Sequence, residues 1–295
     1  MGLAVIVTVA ALALTLTGAG AAPKFTVGLS ISTLNNPFFV DLRDGAQLAA
    51  QKADLSLTIL DAQNDPAKQA SSIEDLIAGK VSLVIINPTD SDAIVPTVKK
   101  LNAARVPVIT VDRGASGGEI VAHIASDNVA GGVMAAEYVA KRLNGRGNVV
   151  MLEGIAGTSA ARDRGKGFRD GLKKYPNIKI VASQTADFDR AKGLQVMENI
   201  LQAQRNINAV FAQNDEMALG AIQAVVAAKR DKAIFVVGFD AIADAVKAVQ
   251  QGRMAATIAQ QPKVMGQLSV EAAMRVLSGQ AVPKFTPVPL KLITK

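Results

Sequence analysis

From Phe25 onward, short β-branched runs alternate with longer segments whose apolar residues recur every three or four positions. The short runs Phe25–Ile31, Leu55–Asp61, Val81–Asn87, Val106–Asp112 and Ile120–Ala125 have the length and composition of buried strands. A second set follows at Asn148–Glu153, Ile178–Ser183, Ala209–Gln213, Ile234–Phe239 and Ala256–Ala259. Between them, Pro37–Lys52, Pro66–Ala78, Asp92–Ala104 and Val129–Leu143 read as helices, with Pro or Asp near their starts. Strand and helix alternating in this way build right-handed βαβ units, hence parallel sheets covered on both faces. About ten strands divide into two doubly wound, Rossmann-like α/β lobes. No Pro-rich or Ser-rich linker separates them, so the boundary expected at Ser126–Asp127 is a short hinge.

The first 23 residues break this pattern. They carry no charged side chain, and the apolar run Leu3–Leu16 leads into the small residues Thr17-Gly18-Ala19-Gly20-Ala21-Ala22. This predicts a signal peptide over residues 1–21, cleaved after Ala21, and export of a soluble protein. The basic start usual for such leaders is missing, which leaves the true start codon open. No later stretch is apolar for long enough to span a bilayer.

Composition narrows the chemistry. With no Cys and a single His among 295 residues, disulfides, thiolate metal sites, cysteine nucleophiles and two-histidine metal motifs are excluded. No metal or cofactor is expected. His123 sits in an apolar strand-like run and reads as structural. The net charge of +7 is regional, with 9 Lys/Arg against 11 Asp/Glu in residues 24–126 and 23 against 14 in residues 127–295. The basic residues neither cluster nor interleave with aromatics, so a nucleic-acid partner is not expected.

The polar residues lie where parallel α/β sheets bind ligands, just beyond the carboxyl ends of the strands. Those ends carry Asn35-Asn36, Asp61 with Gln63-Asn64, Asn87, Asp112-Arg113, Gln213-Asn214-Asp215, Asp240 and Gln260. Asp92 and Asp215 are also placed to cap the helices that follow them. Among only nine Phe, Phe38 and Phe39 stand at the first strand-to-helix turn and Phe188 lies between Asp187 and Asp189, whereas Phe168, Phe211 and Phe235 read as core. Aromatic faces beside planar hydrogen-bonding groups suit a neutral polyhydroxylated ligand, whose C–H faces pack on rings and whose hydroxyls pair with Asp, Asn and Arg.

These residues carry a resemblance. The segments Ser32-Thr33-Leu34-Asn35-Asn36-Pro37-Phe38-Phe39, Asn87-Pro88-Thr89-Asp90-Ser91-Asp92-Ala93 and Ala186-Asp187-Phe188-Asp189-Arg190 are similar to the ribose branch of the periplasmic sugar-binding proteins of bacterial ABC importers. So are Gly154-Ile155-Ala156-Gly157-Thr158-Ser159, Phe211-Ala212-Gln213-Asn214-Asp215, Val237-Gly238-Phe239-Asp240 and Ala256-Thr257-Ile258-Ala259-Gln260. The likeness runs from about Lys24 to Lys291. It implies the type I periplasmic-binding fold shared with LacI-type repressors, its two lobes joined by a three-segment hinge. The lobes would comprise residues 22–126 plus about 261–286, and 127–260 plus about 287–295, with crossings near Ser126, Gln260 and Pro287. Asn36, Asp112, Arg113, Arg164, Asn214, Asp240 and Gln260 would bond the sugar, and Phe38, Phe39 and Phe188 would sandwich its ring. The implied partners are D-ribose or a similar monosaccharide, a membrane permease and, further, a chemoreceptor, for a monomer in the periplasm.

Rival functions fare worse. A LacI-type repressor needs an N-terminal helix-turn-helix, whereas the first strand here begins at Phe25. The turn from Gly154 lacks P-loop spacing, since Gly165-Lys166 is followed by Gly167. Asp112 and Asp240 could form a glycosidase pair, but neighbouring arginines are expected to keep both ionised, leaving no acid. Galactose is disfavoured by the lack of Trp and of an acidic calcium loop. A sibling sugar such as allose, xylose or a furanose stays open.

Overall fold

The computed structural model describes residues 25–295, and the signal peptide expected over residues 1–21 lies outside them. The described residues begin β1 (Thr26–Ile31), α1 (Pro37–Lys52), β2 (Ser56–Asp61), α2 (Pro66–Ala78), β3 (Leu83–Ile86), α3 (Val95–Ala103), β4 (Val108–Val111), β5 (Ala122–Ser126). It continues α4 (Asn128–Arg142), β6 (Arg146–Glu153), α5 (Ser159–Leu172), β7 (Asn177–Thr185), α6 (Arg190–Ala203), β8 (Ala209–Ala212), α7 (Asp215–Ala227). It closes with β9 (Phe235–Asp240), α8 (Ala243–Gln250), β10 (Ala256–Ala259), α9 (Pro262–Leu277), β11 (Phe285–Val288) and β12 (Lys291–Thr294).

Two six-stranded sheets result, ordered β11-β5-β4-β3-β1-β2 and β12-β10-β9-β8-β6-β7. Every strand pair is parallel except β10 with β12. This is the doubly wound α/β class expected from the alternation. Central strands are apolar on both faces because helices cover both. In β3, Leu83 and Ile85 pack towards α1 and α9, while Val84 and Ile86 pack towards α2 and α3. Every residue of β3, β4 and β8 is buried.

Helix starts follow local chemistry. Asn36, Asp65, Asp127, Thr158, Asp189 and Asn214 each accept a first-turn N–H through the side chain. The helix expected from Asp92 begins instead at Val95, and Asp90 rather than Asp92 holds the preceding turn, accepting from Asp92 N and Ala93 N at 2.8 and 2.7 Å. Asp215 does not cap α7 either, since Asn214 accepts the Met217 N–H at 2.9 Å. Phe168 and Phe211 stack in the second core at 4.4 Å, but Phe235 is only half-buried, with the Arg142 guanidinium 4.8 Å above its ring.

The chain passes between the sheets after β5, after β10 and between β11 and β12. The third passage falls at Pro289–Leu290, beyond the expected Pro287, because Pro287 and Val288 still pair with Ala125 and Ser126 of β5. Pro287 is tolerated there because β11 is an edge strand. Helix α9 follows the second series yet packs on α1 and the first sheet. Among the described residues no helix is long and apolar enough to cross a membrane.

Candidate ligand-binding cleft

The carboxyl ends of both sheets meet around a narrow cavity. The ten residues that the resemblance assigned to the sugar all line it: Asn36, Phe38, Phe39, Asp112 and Arg113 from the first lobe, Arg164, Phe188, Asn214, Asp240 and Gln260 from the second. Ala160, on the first turn of α5, also lines it and was not anticipated.

The first lobe contributes an aromatic corner and an adjacent ion pair. Asn36 caps α1, its Oδ1 accepting the Phe38 N–H at 2.9 Å, which fixes the two rings that follow. Phe38 and Phe39 are buried and meet edge to face at 5.2 Å. Asp112 follows β4 with φ of 61° and accepts from Asn87 Nδ2 at 3.2 Å. Arg113 Nε stands 3.8 Å from Asp112 Oδ2, and its guanidinium lies 5.0 Å from the Phe39 ring and 5.4 Å from that of Phe188. Among the described residues its guanidinium makes one hydrogen bond, from Nη1 to the Pro88 carbonyl at 3.3 Å.

In the second lobe the groups are held from several sides. Arg164 donates from Nε to Asn128 Oδ1 at 2.8 Å and from Nη1 to the Gln213 carbonyl at 2.7 Å. Its guanidinium covers the Phe239 ring at 3.9 Å and stands 3.6 Å from Asp240 Oδ1. Helix α5 can bring Arg164 here because it packs backbone-close on α4: a Cβ on Gly132 would fall 2.3 Å from the Arg164 carbonyl oxygen. Asp240, at φ of 120°, accepts from Gln260 Nε2 at 2.8 Å. Phe188 takes φ of 59°, and Asn214 Nδ2 donates to its carbonyl at 3.2 Å. Its ring lies flat over Gly154, where a Cβ would come within 2.0 Å of Cζ, so only glycine permits that wall. Asp112, Phe188 and Asp240 thus share a left-handed backbone that non-glycine residues seldom adopt, as at sites where packing enforces strain.

Burial governs the charges. It raises the Asp112 carboxyl above its usual range against the pull of Arg113 and Arg164, and raises Asp240 to about 7 against that of Arg164. For Asp240 the expectation that its arginine holds it ionised is therefore corrected, since desolvation outweighs the ion pair. Burial likewise lowers Arg113 to about 10, and lowers Arg164. Asp112 Oδ1, Arg113 Nε and Gln260 Oε1 are buried without a hydrogen-bond partner among the described residues.

The remaining strand-end residues support or flank the cavity. Asn87 and Gln213 lie behind it: Asn87 Oδ1 accepts from Ser32 N, and Gln213 Oε1 from Gly154 N. Asn35 and Asn64 line the outer mouth of the cleft, whereas Asp61 serves its own turn through Gln63 N. His123 pairs with Thr110 Oγ1 at 2.9 Å and stacks on Phe285, in the structural role expected. Two supporting residues went unnoticed in the sequence. Asn128 orients Arg164, and Gln69 ties Ser30, Asn87 and Thr89 together. Gln69 had a signal: it stands in line with Ile73 and Leu76 on the buried face of α2, where a polar side chain is out of pattern.

The lobes also touch beside the cavity. Ser91 N donates to the Gly157 carbonyl at 2.9 Å, Ser159 N to Ser91 Oγ at 3.1 Å, and Gly114 N to Ser159 Oγ at 2.9 Å.

Two α/β lobes enclosing a polar and aromatic cavity at their strand ends define a ligand-binding protein, and the comparisons agree. A family model described as a periplasmic binding protein domain matches residues 27–281, and the chain belongs to that family of binding proteins rather than enzymes. It is 51% identical over 293 residues to the ribose import binding protein of Escherichia coli, covering 99% of this chain and 98% of that protein. The Bacillus subtilis ribose import binding protein is 49% identical over 272 residues, covering 92% of this chain and 88% of the other. Among solved structures, the Caulobacter myo-inositol binding protein bound to myo-inositol is similar with a TM-score of 0.88 at 36% identity, covering 93% of this chain and 96% of that one.

Proposed function

We propose that this protein is the substrate-binding component of a sugar ABC importer: it takes D-ribose between its lobes, closes around it and delivers it to a membrane permease. The observation that carries this is the cavity lining, three phenylalanine faces with two arginine–carboxylate pairs and three amides. Rings suit the C–H faces of a sugar, and the planar polar groups suit vicinal hydroxyls. The buried atoms Asp112 Oδ1, Arg113 Nε and Gln260 Oε1 support the reading, because an unsatisfied buried polar atom costs about 1–3 kcal/mol and a hydroxyl would relieve it. Asn36, Asp112, Arg113, Arg164, Asn214, Asp240 and Gln260 bond the sugar, and Phe38, Phe39 and Phe188 clamp its ring.

The moving bodies are the lobes 25–126 with about 261–288 and 127–260 with about 290–295, joined by the three passages between the sheets. Sugar bridging both favours the closed form, which is the form a permease reads. The protein works in the periplasm as a monomer after its signal peptide is removed, and a chemoreceptor is a second candidate reader of closure. Calorimetric titration of the mature protein with ribose, allose, xylose, arabinose and galactose tests the proposal. Tight binding of ribose above the others is expected. Tight binding of another sugar with none of ribose would keep the class and overturn the ligand.

A further inference from the structure

Asp215 lies behind the cavity wall, fully buried in the first turn of α7. The cap of that helix belongs to Asn214, so the helix start does not account for a buried carboxylate beside it. Its oxygens face the other way. Oδ1 accepts from Thr257 Oγ1 at 2.7 Å and Oδ2 accepts the Ile242 N–H at 3.0 Å. Thr257 Oγ1 in turn accepts the Ala241 N–H at 3.2 Å.

Both backbone N–H groups therefore end, directly or through one hydroxyl, on a single carboxylate. Both belong to the turn that immediately follows Asp240. That turn is unfavourable on its own, with φ of 120° at Asp240 and 58° at Ala241, and Ile242 at the start of α8 has no side-chain cap. Burial and the nearby Asp240 both raise the Asp215 carboxyl well above its ordinary range, so keeping a carboxyl here is costly and calls for a compensating role.

We propose that Asp215 is a positioning residue: through Thr257 and the Ile242 N–H it holds residues 240–242 in the conformation that aims the Asp240 carboxyl into the cavity. This rests on the sugar-binding reading of that cavity. Asp215 touches no ligand and acts only through the turn, so its effect on affinity must run through Asp240.

A double-mutant cycle reads this directly. Ribose affinity by calorimetry and thermal stability are measured for wild type, Thr257→Val, Thr257→Ser, Asp215→Asn and Asp240→Asn, and for Asp240→Asn combined with each of Thr257→Val and Asp215→Asn. Thr257→Val keeps a β-branched residue in β10 and removes only the relay hydroxyl, so it stays folded if Asp215→Asn does not. Thr257→Val and Asp215→Asn are each expected to weaken ribose binding about tenfold, and to add little once Asp240 is already Asn. Thr257→Ser restores the hydroxyl and is expected to bind as wild type does. Unchanged affinity in both single variants, or losses that add in full on Asp240→Asn, would overturn the proposal. If wild type ignores ribose but binds another sugar, the ligand assignment falls and the same cycle with that sugar decides on Asp215. If no sugar binds, both fall.

Discussion

Each lobe brings one arginine–aspartate pair to the cavity, and the two pairs are built differently. Arg164 and Asp240 come from separate elements, α5 and the end of β9, and are surrounded by protein partners: Asn128, the Gln213 carbonyl and the Phe239 ring on the arginine, Gln260 on the aspartate. Asp112 and Arg113 are consecutive residues, and the arginine has one long bond to Pro88, its remaining support being aromatic faces. Buried atoms without a partner remain on both members, Asp112 Oδ1 and Arg113 Nε. One pair is framework whose geometry is set before any ligand arrives. The other keeps hydrogen-bonding capacity that the described protein groups leave unused. A cleft made this way divides its work between holding its shape and recognising what enters.

The largest effect should come from attacking the framework. Arg164→Met leaves Asn128 Oδ1 and the Gln213 carbonyl without their donor in a buried setting, which should cost about 1–3 kcal/mol of folding stability for each, together with measurable ribose binding. Arg113→Met should lower affinity about a hundredfold, as expected for lost charge-assisted bonds, with a clearly smaller stability loss. Denaturant unfolding beside calorimetry measures both, and equal stability losses would erase the distinction between the pairs. Next in size, Asp240→Ala should weaken ribose about tenfold or more, because sugar hydroxyls and Arg164 lose their acceptor. Unchanged affinity would remove Asp240 from the site.

A smaller effect is expected where the lobes touch without the sugar. A Cβ on Gly157 would fall 1.7 Å from Asp90 Oδ2, across the cleft, where Ser91 N also donates to the Gly157 carbonyl. Gly157→Ala should therefore disfavour closure and weaken ribose several-fold, while leaving the melting temperature of the sugar-free protein unchanged. A lower melting temperature with intact affinity would show that the contact serves folding instead.

The smallest effect is a pH slope. Native Asp240 keeps its proton up to about 7, whereas in the unfolded chain it loses it near 3.8, so between those values the native state binds more protons. Stability of the sugar-free protein should thus fall as pH rises through that window. Asp240→Asn should flatten the slope in part, since Asp112 and Asp215 are also raised by burial and act with the same sign. Ribose hydroxyls donating to the carboxylate should flatten it in wild type as well. Thermal melts from pH 5 to about 7.5 measure this, and a slope untouched by Asp240→Asn would place the titration elsewhere.

Much of this molecule could be read from its residues because parallel βαβ units obey strong local rules. Apolar runs on both faces mark the strands, and the strand-end rule carries Asp112-Arg113 and Asp240 to one place without further information. Phe188 stood out because its two Asp neighbours make it a poor core residue. The tail strands β11 and β12 were hidden because an edge strand tolerates proline, so Pro283, Pro287 and Pro289 masked a pairing made with distant β5 and β10. The protonation of Asp240 is not legible in the sequence, since desolvation depends on how deeply the folded chain buries the carboxyl. Asp215 read as a helix cap because its partners, Thr257 and Ile242, lie on other elements.

The claim that the cavity receives ribose on the bonding capacity left free between the lobes is tested most directly by a crystal structure of the ribose complex. Ribose should lie between the rings of Phe38, Phe39 and Phe188, with hydroxyl or ring oxygens within hydrogen-bonding distance of Asp112 Oδ1, Arg113 Nε and Gln260 Oε1. Ribose bound elsewhere, or bound here with those three atoms still unpartnered, would contradict it.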